Sequence, residues 1–113
     1  MIEIKDFIDS KIDEMKDEIV ESVQEIVRIK SVEGEPGENK PFGEGVNQCL
    51  EATLAIAERL GLKNKNIDGY AGHVEIGEGE EILGILCHLD VVPEGSNWTY
   101  PPYAAEIHDG KIY

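Results

Sequence analysis

Basic residues are scarce in this 113-residue chain: ten Lys and Arg stand against 24 Asp and Glu, a formal net charge of -14. Phosphate backbones are bound by clustered Lys and Arg, which release counterions as they approach. The acidic balance therefore argues against nucleic acid as a partner, and against an anionic membrane surface for the same reason. Long apolar runs are missing as well. No stretch approaches the roughly 20 residues that a membrane span needs, and Met1-Ile2-Glu3-Ile4-Lys5-Asp6 lacks the charged-then-apolar order of a signal peptide. A cytoplasmic location is the expectation. Cysteine is limited to Cys49 and Cys87, too few and too far apart for a disulfide framework, and no CxxC pair marks a structural zinc site. A chain this long buries only about 60 to 70% of the surface it exposes when unfolded, which makes residues 1–113 one domain's worth of chain with a modest core.

What is present begins with a helical period. Ile8, Ile12, Met15, Ile19, Val23, Ile26 and Val27 recur at threes and fours, while Asp9, Asp13, Asp17, Glu21 and Glu25 share the other face with Lys11, Lys16 and Arg28. That charged face reads as solvated. Gly34, Pro36, Gly37 and Pro41 turn residues 31–41 into a loop. A second helix is expected from about Val46 to Leu60, with Val46, Leu50, Leu54, Ala57 and Leu60 as its buried stripe and Gly61 ending it. Two short strands are expected around Ile67 to Tyr70 and His73 to Ile76, followed by a turn over Gly77-Glu78-Gly79-Glu80-Glu81. Gly77 and Gly79 imitate half of a dinucleotide fingerprint, yet no helical pattern follows and the adjacent glutamates would repel a phosphate.

Ile82-Leu83-Gly84-Ile85-Leu86-Cys87 is continuously apolar, the pattern of a central strand covered on both faces. Helices before it and strands around it define an α/β fold class, two helices packed on a mixed sheet. Ligand-bearing side chains in such sheets sit at the carboxyl ends of strands, and this run leads into His88-Leu89-Asp90. In an extended backbone the side chains at i and i+2 project to one side, so His88 and Asp90 can touch. A metal-binding histidine usually donates its second ring N–H to a carboxylate. On spacing alone, a packed or solvated strand-end histidine is the commoner reading. Cys87 falls on the opposite face, where a small buried hydrophobe is expected.

The longer string carries more. Gly84-Ile85-Leu86-Cys87-His88-Leu89-Asp90-Val91-Val92-Pro93, then Trp98-Thr99-Tyr100-Pro101-Pro102-Tyr103 and Glu106-Ile107-His108-Asp109-Gly110-Lys111-Ile112-Tyr113, resembles the co-catalytic zinc family of dipeptidases, aminoacylases and desuccinylases. Upstream, Pro41-Phe42-Gly43-Glu44-Gly45-Val46 and Asn66-Ile67-Asp68-Gly69-Tyr70-Ala71-Gly72 look like its bacterial Xaa-His dipeptidase (dipeptidase V) branch. The resemblance implies a zinc-peptidase catalytic domain with two zinc ions per site, cobalt or manganese as substitutes, and a dipeptide substrate. It implies that His88 ligates one zinc and that Asp90 is the catalytic-site aspartate orienting it. The bridging carboxylate, the general base and the remaining ligands have no counterpart among these residues. His73 and His108 fall on no ligand position of the family, and Trp98, Tyr100 and Tyr103 are expected in a loop packed beside the site.

Asp109-Gly110 is a two-residue hairpin signal between Glu106-Ile107-His108 and Lys111-Ile112-Tyr113. The sequence thus stops within a returning strand, and the expectation is an N-terminal portion of a longer catalytic domain, inactive alone. Two alternatives stay open: an N-acyl amino acid deacylase or desuccinylase of the same family, and a non-catalytic acidic α/β binding module. The oligomeric state is left open by the sequence.

Overall fold

A computed structural model describes residues 2–113. Helix α1 spans Ile4–Val27 and helix α2 spans Glu44–Arg59. Strands β1 (Lys63–Ile67) and β2 (Ala71–Glu75) form one antiparallel hairpin, and β3 (Ile107–His108) and β4 (Lys111–Ile112) form another. The α/β class expected from the sequence is the one found. Among the described residues its sheet component consists of two separate two-stranded antiparallel pieces, and the parallel contribution shrinks to one bridge between Val32 and Val91.

The core lies along α2. Its threes-and-fours spacing aligns Leu50, Leu54 and Ala57 on one stripe, and these, with Cys49 and Ala105, are the buried apolar residues of the fold. The stripe packs on the β1–β2 hairpin, where a Cβ added to Gly72 would stand 2.8 Å from Leu50 and 3.1 Å from Leu54. Leu60, expected in the stripe, is exposed, because the helix stops at Arg59 and Leu60 is its C-terminal cap. Gly61 follows with φ 74°. Its N–H donates to the Glu58 carbonyl and that of Leu62 to the Ala57 carbonyl, the paired reverse bonds by which a left-handed glycine satisfies the last turn.

Helix α1 follows its predicted period but buries little. Ile8, Ile12, Met15, Ile19 and Val23 are all exposed, and no residue of the helix is fully buried. Only its C-terminal end engages the rest of the fold, where Arg59 donates to Glu25 at 2.7 Å. The charged face is solvated as expected, with Lys11 paired to Glu14 at 2.8 Å.

The first hairpin lies earlier than its alternation suggests. Ile67 to Tyr70 does not form a strand: Asp68 and Gly69 take φ 52° and 77°, and the Tyr70 N–H donates to the Ile67 carbonyl at 2.9 Å. Asp-Gly is the turn signal that decides this register, and it sits inside the stretch whose hydrophobicity had suggested a strand. The turn also receives the 31–43 loop. The second hairpin turns at Asp109-Gly110, as expected.

The largest departure concerns residues 82–87. Ile82, Leu83, Ile85 and Leu86 are almost fully exposed, and among the described residues no strand lies beside them. A continuous apolar pattern reports the surroundings a segment is suited to, whereas pairing needs a neighbouring backbone. Both hairpins are closed on themselves and offer none. Cys87 is exposed for the same reason, rather than buried as expected.

Gly69 provides a local test of this packing. At φ 77° its Cβ would stand 2.3 Å from the Asn39 carbonyl oxygen and 2.9 Å from Pro41. Gly69→Ala should therefore cost about 2 kcal/mol or more in denaturant unfolding, from left-handed strain and backbone collision together. Gly37→Ala, which meets only Lys40 at 3.9 Å, should change stability by less than about 0.5 kcal/mol. Equal effects would contradict the packing of this turn.

Candidate functional site

The two residues singled out by sequence meet. His88 Nδ1 lies 3.2 Å from Asp90 Oδ1 and 3.0 Å from the Asp90 backbone oxygen. Both partners are acceptors, so the contacts are made when Nδ1 carries the ring proton and donates it. That tautomer leaves the Nε2 lone pair uncovered. The imidazole is 82% exposed and the Asp90 side chain 63% exposed, so Nε2 opens to solvent.

The backbone carrying this pair is held from the opposite side of the chain. Ser31, buried at 3% exposure, donates its hydroxyl to the Leu89 carbonyl at 2.9 Å, and its own carbonyl accepts the Val91 N–H at 3.0 Å. Cys49 Sγ points at the same Leu89 carbonyl from 3.9 Å. Burial pushes the Cys49 thiol upward, opposed by hydrogen bonding to Ser31 and Thr53, which keeps it a protonated weak donor. The Ser31 segment is in turn pressed against α2: a Cβ at Gly45 would come within 2.1 Å of the Lys30 carbonyl oxygen. Only glycine permits that approach.

Beyond the pair, the loop of residues 93–103 folds back on Glu94. Lys30 Nζ lies 3.0 Å from Glu94 Oε1, Tyr103 donates its hydroxyl to Oε2 at 3.0 Å, and Trp98 Nε1 donates to the Glu94 carbonyl at 2.7 Å. Lys30 also stands over the Tyr103 ring at 5.7 Å. Leu89, Val91, Pro93, Trp98, Pro102 and Tyr103 line a largely apolar cleft of about 380 Å³ beneath this loop. The aromatic loop is thus packed beside the candidate site, as the sequence suggested. Tyr100 instead stacks on His108, ring centroids 3.6 Å apart. His73 lies in β2 and His108 in β3, and neither approaches His88 through a hydrogen bond.

Sequence reasoning missed Ser31, Cys49 and Glu94. Ser31 sits in what reads as loop, and its contacts with Leu89 and Val91 span 58 and 60 positions, which no local pattern encodes. Among the described residues no group of three or more His, Cys, Asp or Glu side chains gathers as a metal cluster would require. What is present fits one coordination position: an imidazole with its outer nitrogen free and its inner nitrogen held by a carboxylate.

No protein-family model matches the chain. It is 51% identical over 100 residues to the Bacillus subtilis protein named "Putative dipeptidase YtjP", which covers 87% of this chain and 22% of that protein. A Staphylococcus saprophyticus protein, also named a putative dipeptidase, is 38% identical over 104 residues, and its Staphylococcus haemolyticus counterpart is 34% identical over 104. The chain spans about a fifth of the length of these relatives (22% in each case).

The Glu94 cluster yields a pH-dependent expectation. Its own backbone N–H, Lys30 and Tyr103 together hold the Glu94 carboxyl below its ordinary value of 4.5. A carboxylate whose folded pKa is depressed adds stability above the unfolded value and loses it as pH falls through the folded one. Glu94→Gln should therefore lower the denaturation midpoint at neutral pH, with the difference from wild type shrinking once the pH drops below 4.5. A difference that stays constant across that range would show that the charge of Glu94 plays no part.

Proposed function

We propose that this chain is part of a metal-dependent dipeptidase, in which His88 is one zinc ligand and Asp90 orients it. The observation that carries this reading is the His88–Asp90 contact. With Nδ1–H donated to Asp90, the imidazole keeps its tautomer and orientation, and Nε2 is directed outward with a free lone pair. Likeness to several bacterial proteins named as dipeptidases supports the substrate class.

His88 would hold the metal, and a catalytic zinc takes about three protein ligands, so the others would come from the remainder of the longer protein. Zinc, when bound, would supply Lewis-acid polarisation of the scissile amide and of an attacking water. The residues of this chain would contribute positioning. Asp90 holds the ring, the Ser31 segment holds the backbone on either side of Asp90, and the Glu94 loop walls one side. On the same reading the exposed 82–87 run becomes a covered strand in the full-length protein, and the 113-residue chain alone turns over no substrate.

Unblocked dipeptides, Xaa-His among them, are the proposed substrates. A free amino terminus at a fixed distance from the scissile amide lets a closed site draw binding energy from both ends of a short substrate. The test is a panel of Xaa-His dipeptides, their N-acetylated forms, tripeptides and N-acyl amino acids, compared by kcat/KM on the full-length protein. Unblocked dipeptides should lead. Activity should vanish with a chelator and return with zinc, cobalt or manganese. His88→Ala should abolish it, and Asp90→Asn should reduce metal affinity or rate by about 10 to 100-fold. Faster turnover of N-acyl amino acids would replace the dipeptidase reading with a deacylase. Wild-type zinc content and rate in Asp90→Asn would remove its orienting role.

A further inference from the structure

The backbone between His88 and Asp90 is fixed by a residue from a different part of the chain. Leu89 presents its carbonyl inward, and that carbonyl accepts the Ser31 hydroxyl at 2.9 Å. The next peptide is held too, since the Val91 N–H donates to the Ser31 carbonyl at 3.0 Å. One buried residue thus engages the polar groups on both sides of Asp90, through its side chain and through its backbone.

The surroundings make this contact specific. The Leu89 carbonyl has one strong donor, Ser31, and one weak one, Cys49 at 3.9 Å. The 89–91 backbone bonds directly to Ser31 and bridges to Val32 at Val91, contacts made downstream of residues 82–87 and independent of whether that run is covered. The Lys30–Val32 backbone is itself immobilised by close approach to Gly45 at the start of α2. Rotation of the Leu89 peptide would move the Asp90 backbone and with it both acceptors that His88 Nδ1 uses.

We infer that Ser31 is a positioning residue for the metal site: its hydroxyl, by fixing the Leu89 carbonyl, sets the orientation in which Asp90 holds His88 for metal binding. This rests on the proposed ligand role of His88. Ser31 touches no substrate and no metal. Its effect passes through the peptide it holds. Metal affinity should register the loss of its hydroxyl more strongly than global stability does.

A matched control exists in Gln24. Its Nε2 donates to the Ala105 carbonyl at 2.8 Å, a part-buried side chain-to-backbone bond spanning 81 positions that avoids residues 88–91. Ser31→Ala and Gln24→Ala each delete one such bond, so similar losses of stability are expected from the two. Zinc affinity of the full-length protein, measured by competition with a chromophoric chelator, separates them. Ser31→Ala should weaken zinc binding by about 10-fold or more, the scale seen when an outer-shell partner is lost. Gln24→Ala should bind as wild type, and Ser31→Thr, which keeps the hydroxyl, should recover most of the affinity. Wild-type affinity in Ser31→Ala, while His88→Ala loses binding, would overturn the inference. So would equal weakening by Gln24→Ala. Wild-type protein that binds zinc no better than His88→Ala would overturn the ligand role of His88 itself, and the inference with it.

Discussion

The hydrogen bonds that tie the second half of the chain to the end of α1 are the constraint on which the rest depends. Residues 76–106 contain no strand or helix, so regular backbone pairing does not hold them. Residues 89–94 are held by Lys30 on Glu94 and by Ser31, whose hydroxyl donates to the Leu89 carbonyl and whose own carbonyl accepts the Val91 N–H, while Gln24 separately holds Ala105, away from residues 88–91. Gln24, Lys30 and Ser31 lie within eight positions at the close of α1 and the start of the following loop. Ordering a segment without ladder bonds costs about 1 to 2 kcal/mol per residue in conformational entropy, and these contacts offset part of it where they are made. The site segment is ordered because it is clamped.

The fold also carries much exposed apolar surface. The stripe of α1 and the 82–87 run are both apolar and both uncovered, and the formal charge of -14 resists bringing further acidic surface together. The described core, by contrast, is confined to Cys49, Leu50, Leu54 and Ala57 of α2 together with Ala105. Apolar surface of this extent is the kind that further layers of protein cover.

What the sequence disclosed follows from the range over which each interaction acts. The helices were legible because Leu50, Leu54 and Ala57, or Ile8 to Val23, repeat at helical spacing within one segment. Gly61 as a helix stop and Asp109-Gly110 as a turn are local stereochemistry and were equally readable. The His88–Asp90 contact was readable because it spans two positions. Asp68-Gly69 fixes the first hairpin by turn chemistry, which overrides the apolar alternation of its neighbours and places the strands at 63–67 and 71–75. The 82–87 run misled because apolar composition specifies a desired environment without naming its source. Ser31, Cys49 and Glu94 act through contacts that bridge distant segments or fold a loop upon itself, and their residue types alone announce nothing.

The contact between His88 and Asp90 assigns the ring the tautomer that bares Nε2. Nitrogen-15 chemical shifts of the His88 ring, recorded by NMR on metal-free full-length protein above the pH at which the ring is neutral, test it directly. A protonated Nδ1 and an unprotonated Nε2 are expected. A proton on Nε2, with Nδ1 bare, would contradict it, because neither Asp90 oxygen could then accept from the ring.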